Sequence, residues 1–176
     1  MRYSSLSCLI GYGSSMIVTL ALLPGTSLAG GTDPVSYCQA AGTLDMPGMD
    51  YRGTPVPDWM VKALYPPDAL AAQKAAGIDP AKTIVWRCAD GKVLACVQGN
   101  SPQCGKASTS KTATKAMTAF CAETPDAEVI PLSVIGHEDP MIFDWTCKAK
   151  TPTITKQIFK VDKQGYPAEL WQTVTH

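Results

Sequence analysis

Residues 83–97 read TIVWRCADGKVLACV, and their reading decides the fold. β-branched and aromatic residues flank Asp90-Gly91, a dipeptide suited to a two-residue turn that needs positive φ at both positions. The stretch is a hairpin, and its turn sets the register. Ala89 faces Lys92, Cys88 faces Val93, and Trp86 faces Ala95. Side chains alternate between faces along a strand, so Cys88 and Cys96 point to opposite sides and should each find a different partner.

Seven cysteines occur in the chain. Cys8 lies in a segment with the layout of a cleavable export signal, residues 1–29. Arg2 is its only charge, the apolar run is MIVTLALL from Met16, Pro24-Gly25 break it, and Ser27 and Ala29 supply the small residues of a cleavage site. Export puts the other six, Cys38, Cys88, Cys96, Cys104, Cys121 and Cys147, in an oxidising compartment, where they read as structural disulfides. No C-x-x-C spacing occurs, which argues against zinc and redox motifs. Cys96–Cys104 is the easiest closure. The expected order then joins Cys88 or Cys38 to Cys121 or Cys147. No later stretch is long and apolar enough for a membrane span.

Residues 30–176 read as a single domain. Residues 30–57 are rich in Gly, Pro, Thr and Asp, and Pro34, Pro47, Pro55 and Pro57 break any long helix. An irregular covering segment, tied down at Cys38, is expected there. Pro57-Asp58 opens a short helix to about Leu64, and Pro66-Pro67-Asp68 a second to about Ala76. Thr112 or Thr114 caps a third that ends near Glu123, with Ala116, Met117, Phe120 and Cys121 on one face. Residues 128–135, 141–147, 153–161 and 167–174 read as strands, with a turn at residues 162–165. The expected fold is α+β: an antiparallel sheet of five or six strands, two or three short helices on one face, and disulfide staples.

Trp lies two positions before Cys in both Trp86-Arg87-Cys88 and Trp145-Thr146-Cys147. Spacings after the two pairs differ, which favours two independent Trp–Cys core pairs over a duplicated module.

Fifteen basic residues balance 15 acidic ones. Lys106, Lys111 and Lys115 form the only basic cluster, and a nucleic-acid binder needs a more concentrated positive face. His137, beside Glu138 and Asp139, is the weak candidate for a general base or metal ligand. Gly136 and Pro140 around it suit a turn equally well. No nucleophile elbow, metalloprotease helix, phosphate loop or dinucleotide fingerprint occurs, and no cofactor is implied. Tyr51 and Trp59 sit on a loop with apolar neighbours. They are the candidates for a partner-binding surface, or for anchors that hold the loop over the sheet.

Several stretches resemble a group of small exported cysteine-containing bacterial proteins with no known activity. They are Tyr37-Cys38, Gly42-Thr43-Leu44-Asp45, Tyr51-x-Gly-x-Pro-Val-Pro, Trp86-Arg87-Cys88-x-Asp-Gly-Lys-Val-x-Ala-Cys96, and Asp162-x-x-Gly-Tyr-Pro-Ala-x-x-Trp171. The resemblance covers most of the chain after the signal. It implies a periplasmic or secreted setting in bacteria and carries no site residues. The resulting expectation is a non-enzymatic binding module for a protein or an envelope component. A small hydrolase or metal-dependent enzyme centred on His137 is the alternative.

Overall fold

The structure is a computed structural model that describes residues 31–98, 103–136 and 139–176. The expected signal and His137 lie outside those residues. Strands β1 (Ile84–Ala89) and β2 (Lys92–Val97) form the hairpin with the expected register, Cys88 opposite Val93 and Trp86 opposite Ala95. Asp90 and Gly91 have φ of 50° and 76°, as a type I′ turn requires.

The two faces of this hairpin meet different surroundings. Ile84, Trp86, Cys88, Val93 and Ala95 face a core shared with Tyr37, Cys38, Met60 and Val61. Cys96, from the other face, packs with Cys104, Tyr166 and Trp171. Each face carries its own disulfide, Cys38–Cys88 on one and Cys96–Cys104 on the other. The third bridge, Cys121–Cys147, closes elsewhere. Cys96–Cys104 is thus as expected, whereas a link from Cys88 or Cys38 to Cys121 or Cys147 does not form. Cys38 and Cys88 bond to each other because residue 38 sits on a helix laid across the hairpin.

That helix corrects the reading of residues 30–57 as wholly irregular. Helix α1 spans Pro34–Ala41. Asp33 caps it by accepting from the Ser36 N–H at 3.0 Å, and Pro34 takes the first turn, where its missing N–H costs nothing. The proline starts a helix here instead of breaking one. Helices α2 (Asp58–Leu64), α3 (Pro67–Ala75) and α4 (Lys115–Glu123) lie where the sequence puts them, the last capped by Thr114. Residues 128–135 are not a strand. Pro131 opens a single turn, α5 (Leu132–Ile135).

The fold is α+β with antiparallel strands, but the strands do not make one sheet. Three strands pair in the order β1–β2–β5, with β5 only Gln172–Thr173. Strands β3 (Phe143–Lys148) and β4 (Thr151–Gln157) pair separately over a second core of Met117, Cys121, Ile130, Ile142, Phe143, Trp145 and Cys147. Five α-helices, one of them a single turn long, replace the expected two or three among the described residues.

The two halves repeat one another. In each, a helix cysteine bonds to the Trp-x-Cys strand of a hairpin: Cys38 to Cys88, Cys121 to Cys147. The hairpins have the same register, since Trp145 faces Ile154 and Cys147 faces Pro152, as Trp86 faces Ala95 and Cys88 faces Val93. The second turn, Ala149-Lys150, has φ of 48° and 69° without any glycine. The segment leaving each helix binds its hairpin in the same way. The Cys88 N–H donates to the Leu44 carbonyl at 3.0 Å, and the Cys147 N–H to the Ala127 carbonyl at 2.8 Å. The Gly91 N–H donates to the Gly42 carbonyl at 2.8 Å, and the Lys150 N–H to the Pro125 carbonyl at 3.1 Å. The Asp90 N–H donates to Thr43 Oγ1 at 3.0 Å, and the Ala149 N–H to Asp126 Oδ1 at 3.2 Å. Three matched hydrogen bonds, a matched disulfide and a matched register are more than two unrelated Trp–Cys pairs would share. The duplicated module disfavoured by the sequence is present. Its first bridge spans 50 residues and its second 26, because α2 and α3 lie within the first copy.

Candidate binding site on two equivalent loops

Each copy sends a loop outward just past its helix. In the first it runs Leu44-Asp45-Met46-Pro47-Gly48-Met49, in the second Ala127-Glu128-Val129-Ile130-Pro131-Leu132. Position for position, Leu44 matches Ala127, the acid matches the acid, Met46 matches Val129, and Met49 matches Leu132. These apolar side chains are 71%, 92%, 70% and 59% exposed for Met46, Met49, Val129 and Leu132. They are four of the six large apolar residues exposed among the described residues. Scattered exposed apolar residues need no explanation, but matched pairs on two copies of one module do.

Both loops are held firmly at their base. Leu44 exchanges two backbone hydrogen bonds with Cys88, each 3.0 Å. Ile130 donates its N–H to the Trp145 carbonyl at 2.9 Å, beside the Ala127 bond already described. In the first loop the Gly48 N–H donates to Tyr37 Oη at 3.0 Å, and Tyr37 Oη donates to Asp50 at 2.9 Å. Burial of Tyr37 raises its phenol pKa, so this donor stays protonated at neutral pH. Asp45 pairs with Lys106 at 2.6 Å, a contact that lowers the carboxyl pKa and raises that of the lysine.

Tyr51 and Trp59 stand behind this surface. The Tyr51 ring meets Tyr37 and Trp86 edge-on at 5.2 and 5.1 Å, and its hydroxyl donates to the carbonyls of Thr32 and Thr54. Trp86 Nε1 donates to the Pro55 carbonyl. Trp59 stacks on His176 at 4.7 Å, and His176 Nε2 lies 3.0 Å from Asp33. Tyr51 and Trp59 are both half-buried, and they fasten residues 48–57 across the first hairpin. Met46 and Met49, on the same covering segment, present the open apolar surface. Sequence reasoning missed all four loop residues. The signal was available: aligning the two helix cysteines superimposes the loops.

On the opposite face of the first hairpin, Arg87 has no exposed surface. It pairs with Asp162, bonds Gln164, and lies over the rings of Tyr166 (4.2 Å) and Trp171 (4.6 Å), which meet each other edge-on at 5.2 Å. Burial would raise the Asp162 pKa, but the Tyr166 backbone N–H and the Arg87 guanidinium outweigh it and hold the carboxyl below its ordinary value. This is a structural strut, its charge enclosed and out of reach of a ligand.

Among the described residues no group of three His, Cys, Asp or Glu could hold a metal ion, and no helix is long and apolar enough to cross a membrane. Three closed disulfides suit a non-cytoplasmic, oxidising compartment. No protein-family model matches the chain, nor does any curated protein or solved structure.

Proposed function

We propose that the protein is an exported, non-enzymatic binding module of the bacterial periplasm or extracellular space that engages a protein or an envelope component. The observation that carries this reading is the pair of equivalent loops exposing Met46 and Met49 on one copy and Val129 and Leu132 on the other. Presenting large apolar side chains to water on hydrogen-bonded loops forgoes the stabilisation that burial would bring. Keeping that exposure at matched positions in both copies points to a use for it. Methionine suits such a surface because its unbranched thioether adapts to a partner's shape.

Affinity capture from the periplasm tests the reading. The wild-type chain is compared with a variant carrying Met46→Ser, Met49→Ser, Val129→Ser and Leu132→Ser. These positions are exposed, so the thermal melt should barely move. The expected result is a captured component that disappears with the variant. Identical capture by both baits would refute the reading.

A further inference from the structure

We propose that the outer edge of β4 accepts an extended peptide strand from a partner protein, one with a β-branched centre and acidic ends. The surface is separate from the two loops, so the proposal goes beyond the function argued above.

The first copy of the module shows what such an edge can hold. There β2 is flanked by the chain's own β5, with Leu94 facing Thr173 and Ala95 facing Gln172. The Val174 N–H donates to the Val93 carbonyl at 3.0 Å, and Val174 is only 4% exposed. In the second copy Pro152, Thr153 and Ile154 stand where Val93, Leu94 and Ala95 stand in the first. No strand lies beside them: among the described residues β4 pairs with β3 alone. Parity from the two-residue turn directs the backbone groups of residues 152 and 154 away from β3. Ile154 therefore offers an N–H and a carbonyl, and Pro152 a carbonyl.

Proline on a strand normally blunts an edge. Here it removes little, because the matching rung in the first copy runs to the Val93 carbonyl, and Pro152 keeps that carbonyl. A register shift at Asp144/Trp145 limits the regular edge to a few residues. That length matches β5, which is itself only Gln172–Thr173.

Charge selects the occupant. Strand β4 contains no acid. Lys150 precedes it at the turn, and Lys156 lies at its far end with a side chain 67% exposed. The cross-strand partner of Lys156, Asp144, pairs with it loosely, at 3.9 Å, and both side chains stay more than half exposed. Laid down as β5 lies on β2, a peptide's residue opposite Pro152 takes the place of Val174, and its ends fall near Lys156 and Lys150. An apolar β-branched residue in the first position and acids at the ends complement this edge.

The probe is a labelled peptide Glu-Trp-Gln-Thr-Val-Thr-Glu, which follows β5 with acidic ends. Lys-Trp-Gln-Thr-Val-Thr-Lys is the control, and both are added to the full chain. Anisotropy should give a Kd at least about threefold tighter for the acidic peptide, the scale of exposed charge pairs. Saturation should slow hydrogen exchange at the Ile154 amide. Lys156→Glu, at an exposed position, leaves one charge of each sign at the two ends of the edge and should abolish the acidic peptide's advantage. Ile154→Pro should abolish binding, and because it could also unfold the hairpin, the exchange data and Lys156→Glu decide the matter. Equal affinity of the wild-type chain for both peptides would overturn the proposal, as would protection at Ala95 without protection at Ile154. Protection of Ile154 that grows with protein concentration in the absence of peptide would make a second copy of the chain the occupant, and would overturn it too.

Discussion

Replacing Asp162 with Asn removes the charge opposite Arg87 and keeps the shape. Arg87 has a fully buried side chain, and that of Asp162 is 23% exposed. Removing one partner of a buried ion pair costs about 3–5 kcal/mol, because the other charge stays buried without compensation. Two features of this site pull the loss toward the lower bound. Water reaches part of Asp162 and screens the pair. The rings of Tyr166 and Trp171 keep attracting the guanidinium, by up to about 2 kcal/mol where a cation is desolvated. A loss of about 3 kcal/mol is expected, against a total near 5–15 kcal/mol for a domain. The double change Arg87→Met with Asp162→Asn removes both charges and leaves an unbranched apolar chain against the two rings. Arg87 Nε has no hydrogen-bond partner, so the double variant also removes an orphaned donor. It should be more stable than the sum of the single losses predicts, with a coupling of about 1–3 kcal/mol. Urea unfolding with the disulfides intact measures all three variants. A loss below about 1 kcal/mol for Asp162→Asn would show that solvent already compensates Arg87, and the enclosed-charge argument would fail.

The same pair predicts acid sensitivity. The Asp162 carboxyl is held below its ordinary value, so its contribution is full above the unfolded carboxylate range and is lost as pH falls through the lowered folded value. Asp162→Asn should flatten that part of the acid limb of the stability curve, and an unchanged limb would contradict the assignment. Lys150 holds φ of 69° without being glycine. Lys150→Gly relieves a left-handed strain of about 1–2 kcal/mol at an entropic cost of about 0.5–1 kcal/mol, so the unfolding free energy should rise by a net of about 0.5–1 kcal/mol; a lower urea midpoint would be contrary. The bridges close spans of 50, 26 and 8 residues. Paired Cys→Ala variants should lose about 4, 3.5 and 2.5 kcal/mol in that order on chain entropy, and a largest loss at Cys96–Cys104 would reject loop length as the controlling quantity.

What the sequence disclosed was set by how local the signal was. The Asp90-Gly91 turn fixes its own neighbours, so the register of β1 and β2 and the opposed faces of Cys88 and Cys96 were legible. Thr114, Pro57-Asp58 and Pro67 marked helix starts for similar local reasons. Asp33-Pro34 carried the same signal but was outweighed by the prolines that follow it. Pro131 begins a helical turn, although the apolar run around it looked like a strand. The division into two strand groups was not legible, because strand propensity says nothing about which strands pair. Trp-x-Cys was a true trace of the duplication. The insertion of α2 and α3 in the first copy displaced the helix cysteines relative to the hairpins and hid the rest. Met46, Met49, Val129 and Leu132 emerge only after the copies are aligned through Cys38 and Cys121.

The opposed disulfides of the first hairpin also bear on how the chain oxidises. A one-residue slip of β2 against β1 exchanges the faces of one strand relative to the other. Cys96 would then turn toward the side of α1, where Cys38 and Cys88 meet, and away from Cys104. Only a register of the correct parity keeps both bridges on their own sides. Closing Cys38–Cys88 and Cys96–Cys104 therefore proofreads the strand alignment, and a slipped hairpin stays open to thiol–disulfide exchange until the register is right. In an oxidising compartment the cysteines then act as a covalent record that the hairpin folded in frame.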